Sequence, residues 1–290
     1  MQKTQYLNLL WKAAKIILPK RLMNHHLDPR IDIYIISYPK CGSTWLRFII
    51  GKAIEYHYSI RTDNPMDTKK LTLLCQSRSI EVPCIKGTHD GVIKWTILEK
   101  MESDKTKYRD KKVIFLVRDP RDVLVSSYYQ KKKRRVVSNR MKGKKAYNGS
   151  LDDLIEDANE GVRSITTFYN IWANSKNTPR DFMLLRYEDM QNDTYAEIRK
   201  VFDFFDMKNI PEGVIRRAIE FCSFENMRKM ERDRVIPSER LLPGNPDDLE
   251  SYKTRKGKVG GYKEEMSKES IEKMNKIIQD ELSDFYAFYK

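Results

Sequence analysis

Cysteine is scarce in this chain. Four occur in 290 residues, Cys41, Cys75, Cys84 and Cys222, with no CxxC pair and no histidine close by. That pattern gives neither the ligand spacing of a zinc site nor a disulfide framework, so no bound metal and a reduced, cytoplasmic setting are expected. A long apolar run is missing too. The stretch from Leu7 to Leu18 is broken by Asn8, Lys12 and Lys15, which makes it too short and too charged to span a bilayer. Leu7, Leu10, Trp11, Ala14, Ile17 and Leu18 nevertheless share one helical face. Residues 1–28 therefore read as an amphipathic segment that packs on the domain, with peripheral membrane contact through residues 1–20 as the other use of that face. No G-x-x-x-x-G-K-[ST] loop is present, which disfavours an ATPase, a GTPase or a P-loop kinase. Internal repeats and Pro/Gly-rich linkers are also absent, and residues 1–290 read as a single domain.

Positive charge is what the chain has in excess. Lys+Arg 55 against Asp+Glu 41 leaves a net +14, which attracts nucleotides, nucleic acid, acidic glycans or a membrane surface. The densest run is KKKRRVVSNRMKGKK, residues 131–145, followed at once by the acidic SLDDLIEDANEG. Such a run reads as a flexible, solvated loop, here drawn over residues 131–150. No aromatic residue interleaves with these lysines, which argues against single-strand binding, and nucleic acid is not the expected partner. A non-enzymatic anion or nucleic-acid binder is the rival class that charge alone would allow.

The elements follow from periodicity. IDIYIISYPKCGSTWLRFIIGK, residues 31–52, runs from a buried strand through a turn into a helix with Trp45, Phe48, Ile49 and Lys52 at three- and four-residue spacing. The turn offers Lys40, Gly42, Ser43, Thr44 and the first free amides of the helix, a set suited to phosphate. A second strand is expected near Val82 to Lys86, a third from Val113 to Val117, and a fourth within DFMLLRYEDM ahead of the helical TYAEIRKVFDFFD. Strands alternating with helices predict an α/β fold, a central parallel sheet flanked by helices.

Three stretches together carry a family resemblance. YPKCGSTW at 38–45 resembles the YPKSGTTW phosphosulfate loop of the cytosolic-type sulfotransferases. VRDPRDVLVSSYY at 117–129 is similar to their 3′-phosphate segment, and RKGKVGGYKEEM at 255–266 to their RKGxxGDWK signature. The resemblance implies the P-loop-NTPase-like sulfotransferase fold, a donor, 3′-phosphoadenosine 5′-phosphosulfate (PAPS), a product, adenosine 3′,5′-bisphosphate (PAP), and no metal. It implies that Lys40, Cys41, Gly42, Ser43 and Thr44 hold the 5′-phosphosulfate, with Cys41 contributing its backbone amide in place of the usual serine. Arg118 and Ser126 match the pair on the 3′-phosphate, and Arg255, Lys256 and Gly257 would close over it. Trp45 and Phe224 match the two adenine-facing aromatics, and Tyr187 a tyrosine near the adenosine.

The catalytic histidine implied is His89 in KGTHDG; the other three, His25, His26 and His57, fall before the first strand or beyond the first helix. An imidazole suits a base that takes a proton near neutral pH. This chain reads Lys-Gly-Thr-His where the family reads Lys-Thr-His, so Lys86 is one position farther from His89. A bulge at Gly87 is what would return Lys86 to the sulfonate. Gly261 and Tyr262 replace the family's Asp and Trp, and a looser last loop is expected. The family's dimer segment falls on 263–272, where Ser267 and Lys268 replace its central Thr and Val, and the oligomeric state stays open. The polar segment after the 3′-phosphate helix points to a polar small molecule as acceptor, through a hydroxyl or an amine. A glycan or glycolipid held by the lysines is the alternative.

Overall fold

The β-branched run that begins at Ile33 sets the architecture, because every residue of it is buried and both its faces need cover. The computed structural model describes residues 27–92, 98, 101–134 and 147–290. Most of the amphipathic segment 1–28, including His25 and His26, and residues 135–146 of the basic run lie outside the described residues. Strand β1 (Ile33–Ser37) is followed by helices α1 (Ser43–His57) and α2 (Thr68–Ser77), then β2 (Ile85–Thr88) and β3 (Lys112–Val117). Next come α3 (Pro120–Tyr129), α4 (Leu151–Ile155), α5 (Val162–Asn174) and β4 (Asp181–Arg186). Five more helices follow: α6 (Tyr187–Asn192), α7 (Thr194–Phe204), α8 (Glu212–Phe221), α9 (Phe224–Arg232) and α10 (Lys268–Glu281).

The four strands form one parallel sheet in the order β2-β1-β3-β4, as the alternation of strands and helices predicts. One face carries Tyr34, Tyr38 and Phe115 against Phe168 and Trp172 of α5, directly or through Tyr108. The other carries Gly87, over which the Arg47 side chain of α1 is laid. The fold is therefore α/β, a central parallel sheet flanked by helices.

Two expectations shift. The second strand begins at Ile85 rather than Val82, because Pro83 has no N–H to give to a ladder and pairing starts beyond it. The basic run does not begin as a loop. Residues 130–134 continue α3 as a turn of π-helix, with Lys131 buried beside Glu160 and Arg134 donating to the Leu242 carbonyl at 2.6 Å. Pairing with a half-buried acid and a carbonyl is what brings these cations out of solvent. Among the described residues, no helix is long and apolar enough to cross a membrane and no group of three His, Cys, Asp or Glu side chains could hold a metal.

Candidate active site

At the C-terminal end of β1 the chain turns through Lys40 and Gly42, both with left-handed φ, 81° and 97°. Glycine is required at 42 for a second reason, since a Cβ there would sit 2.6 Å from the Tyr187 ring. Gly42 caps α1 without a side-chain bond, so the first amides of the helix stay open to an anion. Ser43 and Thr44 occupy its first turn. Cys41 is buried with its Sγ 3.3 Å from Tyr169 Oη, and burial pushes its thiol up to about 12. It contributes backbone only.

Lys40 is half-buried and donates to Gln130 Oε1 at 2.7 Å. Burial, then the neighbouring cations Lys253 and Arg134, hold its ammonium well below the usual lysine range. Among the described residues it makes no ion pair, so this charge is stabilised fully only by an incoming anion.

The β3–α3 corner meets the same loop. Arg118 N donates to Tyr169 Oη at 2.9 Å, and Tyr169 Oη donates back to Arg118 O at 2.8 Å, so one tyrosine staples Arg118 to Cys41. The Arg118 guanidinium lies over the Tyr187 ring at 4.4 Å and gives one Nη to Lys258 O at 2.9 Å. Its Nε is buried without a partner, a donor left over for an anion. Asp122 receives Gly260 N at 2.9 Å and Tyr262 N at 3.0 Å, which ties the late segment to α3. Gly261 and Tyr262, from which a looser last loop is expected, lie in this turn, which two amides fasten to one buried carboxylate.

That segment arrives over both earlier motifs. Tyr187 Oη donates to Gly257 O at 3.4 Å, and Gly257, with φ 61°, leaves no room for a Cβ beside Phe224, 2.7 Å away. Arg255 lies over the Tyr129 ring at 3.9 Å, one helical turn from Ser126, and pairs with Glu265 at 2.6 Å; Lys256 pairs with the same carboxylate at 3.0 Å. Trp45 donates to Cys222 O at 3.0 Å, two residues before Phe224, and meets the Tyr187 ring edge-on at 5.9 Å. Direct contacts thus join Gly42, Trp45, Arg118, Tyr187, Gly257 and Phe224, with Lys40, Cys41, Ser43, Thr44, Arg255 and Lys256 beside them in the chain and Ser126 one helical turn from the Tyr129 ring under Arg255. The open helix amides and Lys40 suit one anionic group, and the orphaned Arg118 Nε with Arg255 a second; the aromatics between them suit a base.

His89 follows β2. Its Nδ1 lies 2.8 Å from Ser37 O and 3.3 Å from Ser37 Oγ. A carbonyl only accepts, so Nδ1 carries the proton and Nε2 is the basic nitrogen. Lys86 does not join it. The pairing Tyr34↔Lys86, Ile35↔Gly87, Ile36↔Thr88 is unbroken, so Gly87 makes no bulge. One extra residue before the histidine turns a strand side chain to the opposite face, and Lys86 Nζ lies over the Tyr34 ring at 5.9 Å. Burial, then Lys69, lower its ammonium below the usual range.

Sequence reading missed Tyr169, Asp122, Gln130 and Glu188. The last accepts Asp119 N at 2.8 Å and Tyr289 Oη at 2.7 Å, bracing the corner that carries Arg118. Asp122 stands within the 117–129 motif without a role given to it there; Tyr169 signals only as a polar group amid the apolar face of α5.

Comparison with known proteins gives the family and the fold. A family model described as "Sulfotransferase domain" matches residues 30–286. A flavonol 3-sulfotransferase of Flaveria bidentis is 26% identical over 271 residues, covering 87% of this chain and 81% of its own. Cytosolic sulfotransferase 10 of Arabidopsis thaliana is 25% identical, covering 87% and 78%. Among solved structures, a mouse sulfotransferase complexed with PAP superposes with a TM-score of 0.57 at 19% identity, covering 87% of this chain and 84% of that one. A retinol dehydratase in a complex with retinol and PAP gives 0.57 at 22% identity, covering 90% and 83%.

Proposed function

The chain belongs to the cytosolic-type, PAPS-dependent sulfotransferase family, and from that premise we propose that it transfers a sulfuryl group from PAPS to a hydroxyl or amine of a polar small molecule, releasing PAP. In this reading the open amides of α1, Ser43, Thr44 and Lys40 bind the 5′-phosphosulfate. Arg118, Ser126, Arg255 and Lys256 bind the 3′-phosphate, with Trp45, Phe224 and Tyr187 around the adenine. His89 Nε2 takes the acceptor's proton as its oxygen or nitrogen bonds to sulfur, while Lys40 neutralises the charge growing on the oxygen from which the sulfuryl group departs. His89 hangs from Ser37, three residues before Lys40, so base and cation belong to one short stretch of backbone. The family members named as flavonol sulfotransferases support a small molecule as acceptor.

The observation that carries the reading is the meeting of three separated motifs at Tyr187. Gly42 packs on its ring, Arg118 lies over it, and Gly257 accepts its hydroxyl. Thermal shift with PAP, with ATP–Mg²⁺ and with RNA tests it. Stabilisation by PAP without added metal is expected; stabilisation by RNA alone would overturn the enzyme reading in favour of a nucleic-acid binder. A screen of radiolabelled PAPS against hydroxyl- and amine-bearing extracts then identifies the acceptor, and label found only on polymeric glycan would overturn the small-molecule assignment.

A further inference from the structure

Asp90, the residue after His89, is charged and buried. Its side chain is 2% exposed, with Lys105 Nζ at 2.6 Å and Lys107 Nζ at 3.3 Å, and it accepts Tyr108 Oη at 2.7 Å. These donors are themselves anchored. Lys105 is 2% exposed and lies over the Trp172 ring at 5.4 Å, while Tyr108 meets the Tyr34 ring edge-on at 5.2 Å. The carboxylate therefore fastens the backbone next to His89 to α5 and β1.

The backbone it holds is a turn with a preferred alternative. Asp90 and Gly91 both have left-handed φ, 48° and 91°, and Val92 N donates to His89 O at 3.1 Å to close the turn. Asp90 N also donates to Thr88 Oγ1 at 3.1 Å. Aspartate is among the residues that tolerate a left-handed φ, so the turn can form here, and the contacts of its side chain fix where it stands. Stability alone does not account for the clamp, because an ion pair taken wholly out of water is commonly matched or bettered by apolar residues of the same size. What the clamp does supply is a fixed origin for the imidazole beside it, whose Nδ1 is bonded to Ser37 O.

We propose that Asp90, gripped by Lys105 and Tyr108, is a positioning residue for His89: it holds the turn so that the ring keeps its Nδ1–H tautomer and presents Nε2 to the acceptor, without contributing to nucleotide affinity. The inference rests on the reading of His89 as the base. Mutual geometry of this kind matters to rate, since a displacement of about 1 Å can cost on the order of a hundred-fold.

The chain has only four histidines, so imidazole nitrogen resonances of the ¹⁵N-labelled full chain bound to PAP can be assigned, that of His89 by its loss in His89→Asn. The unsubstituted protein is expected to show one Nδ1–H tautomer at His89, and Asp90→Ala a mixture, with PAP affinity by calorimetry held within about three-fold. Asp90→Asn guards against a folding defect, because asparagine tolerates the left-handed turn and still accepts from Tyr108. In Asp90→Asn/Lys105→Gln the lysine charge that the single variant strands is gone, and the single tautomer should return. Transfer to 4-nitrophenol, read as PAP released, should fall about a hundred-fold in kcat for Asp90→Ala with KM little changed. An unaltered His89 tautomer in Asp90→Ala, or a loss of PAP affinity parallel to the loss of kcat, overturns the proposal. Failure of the unsubstituted protein to bind PAP would instead overturn the sulfotransferase assignment of this site, and the same tautomer comparison made on the nucleotide-free chain would still judge Asp90.

Discussion

Lys40 occupies a position where an ammonium is costly, and two measurements follow from that cost. Burial and the cations Lys253 and Arg134 hold its pKa below the ordinary value of about 10.4, so in the window between the two values the unfolded chain binds more protons than the folded one. Its contribution to stability therefore rises with pH through that window and is lost as pH falls through it. Thermal melts of the nucleotide-free protein from pH 7 to 10 should show this slope, and Lys40→Met should flatten it. An anion placed against the ammonium reverses the balance, so PAP binding within that window should take up protons. Calorimetry in buffers of different ionisation enthalpy reads that uptake, which Lys40→Met should abolish. His89 separates from Lys40 in its effect. His89→Ala should lower turnover by about 10²–10⁴-fold, the usual size of a proton-transfer contribution, while PAP affinity stays within a few-fold. Turnover preserved in that variant, read as PAP released, would remove His89 from the role of base.

At the scale of elements, the site depends on how β1–α1, β3–α3 and the segment 255–262 are tied to one another. Asp122 on α3 accepts two amides of that segment, and Tyr169 on α5 bonds both earlier loops. Hydrogen bonds to a charged group contribute about 1.5–3 kcal/mol each. Asp122→Ala should then free the 260–262 turn, raising amide exchange at Gly260 and Tyr262 and weakening PAP about 10- to 100-fold, at about 1.4 kcal/mol per decade. Exchange at the sheet amides should stay as it was, which separates a loosened segment from a destabilised fold. Glu231 acts similarly from α9. It is wholly buried and accepts Lys253 N at 2.6 Å and both Thr254 N at 3.0 Å and Thr254 Oγ1 at 2.9 Å, setting the approach of Arg255.

For the whole molecule, a net +14 would be only a diffuse attraction were its cations all paired. In the proposed site, half-buried Lys40, without an ion pair among the described residues, and the Arg118 Nε, left without a hydrogen bond although Asp122 lies 3.4 Å from the same guanidinium, would focus that charge at the two ends of the nucleotide. PAP affinity should therefore decline as ionic strength rises, with screening acting over about 10 Å at 0.1 M. Adenosine 5′-phosphosulfate, which lacks the 3′-phosphate, should bind more weakly and with a shallower salt dependence. Equal affinities for the two nucleotides across a salt series would show that Arg118 and Arg255 do not serve the 3′-phosphate end.

By itself the sequence determined the parts whose chemistry is local. The alternation at Ile33–Ser37, the Lys40–Gly42 turn and the helix after it are specified by neighbours a few positions away, and so were the residues of each nucleotide loop. Order along the chain likewise predicted the parallel sheet. Only the tertiary structure decided which of those residues face the same space. Lys86 was read as part of the site and lies on the opposite side of β2, because an unbroken register, not spacing, sets the face of a strand side chain. Tyr169, Asp122, Glu188 and Asp90 were given no role by the sequence, although the last three stand inside stretches that it singles out, and they act on partners 51, 138, 69 and 18 positions away. A contact across such a distance is fixed by how helices and sheet pack, and no local pattern of residues encodes it.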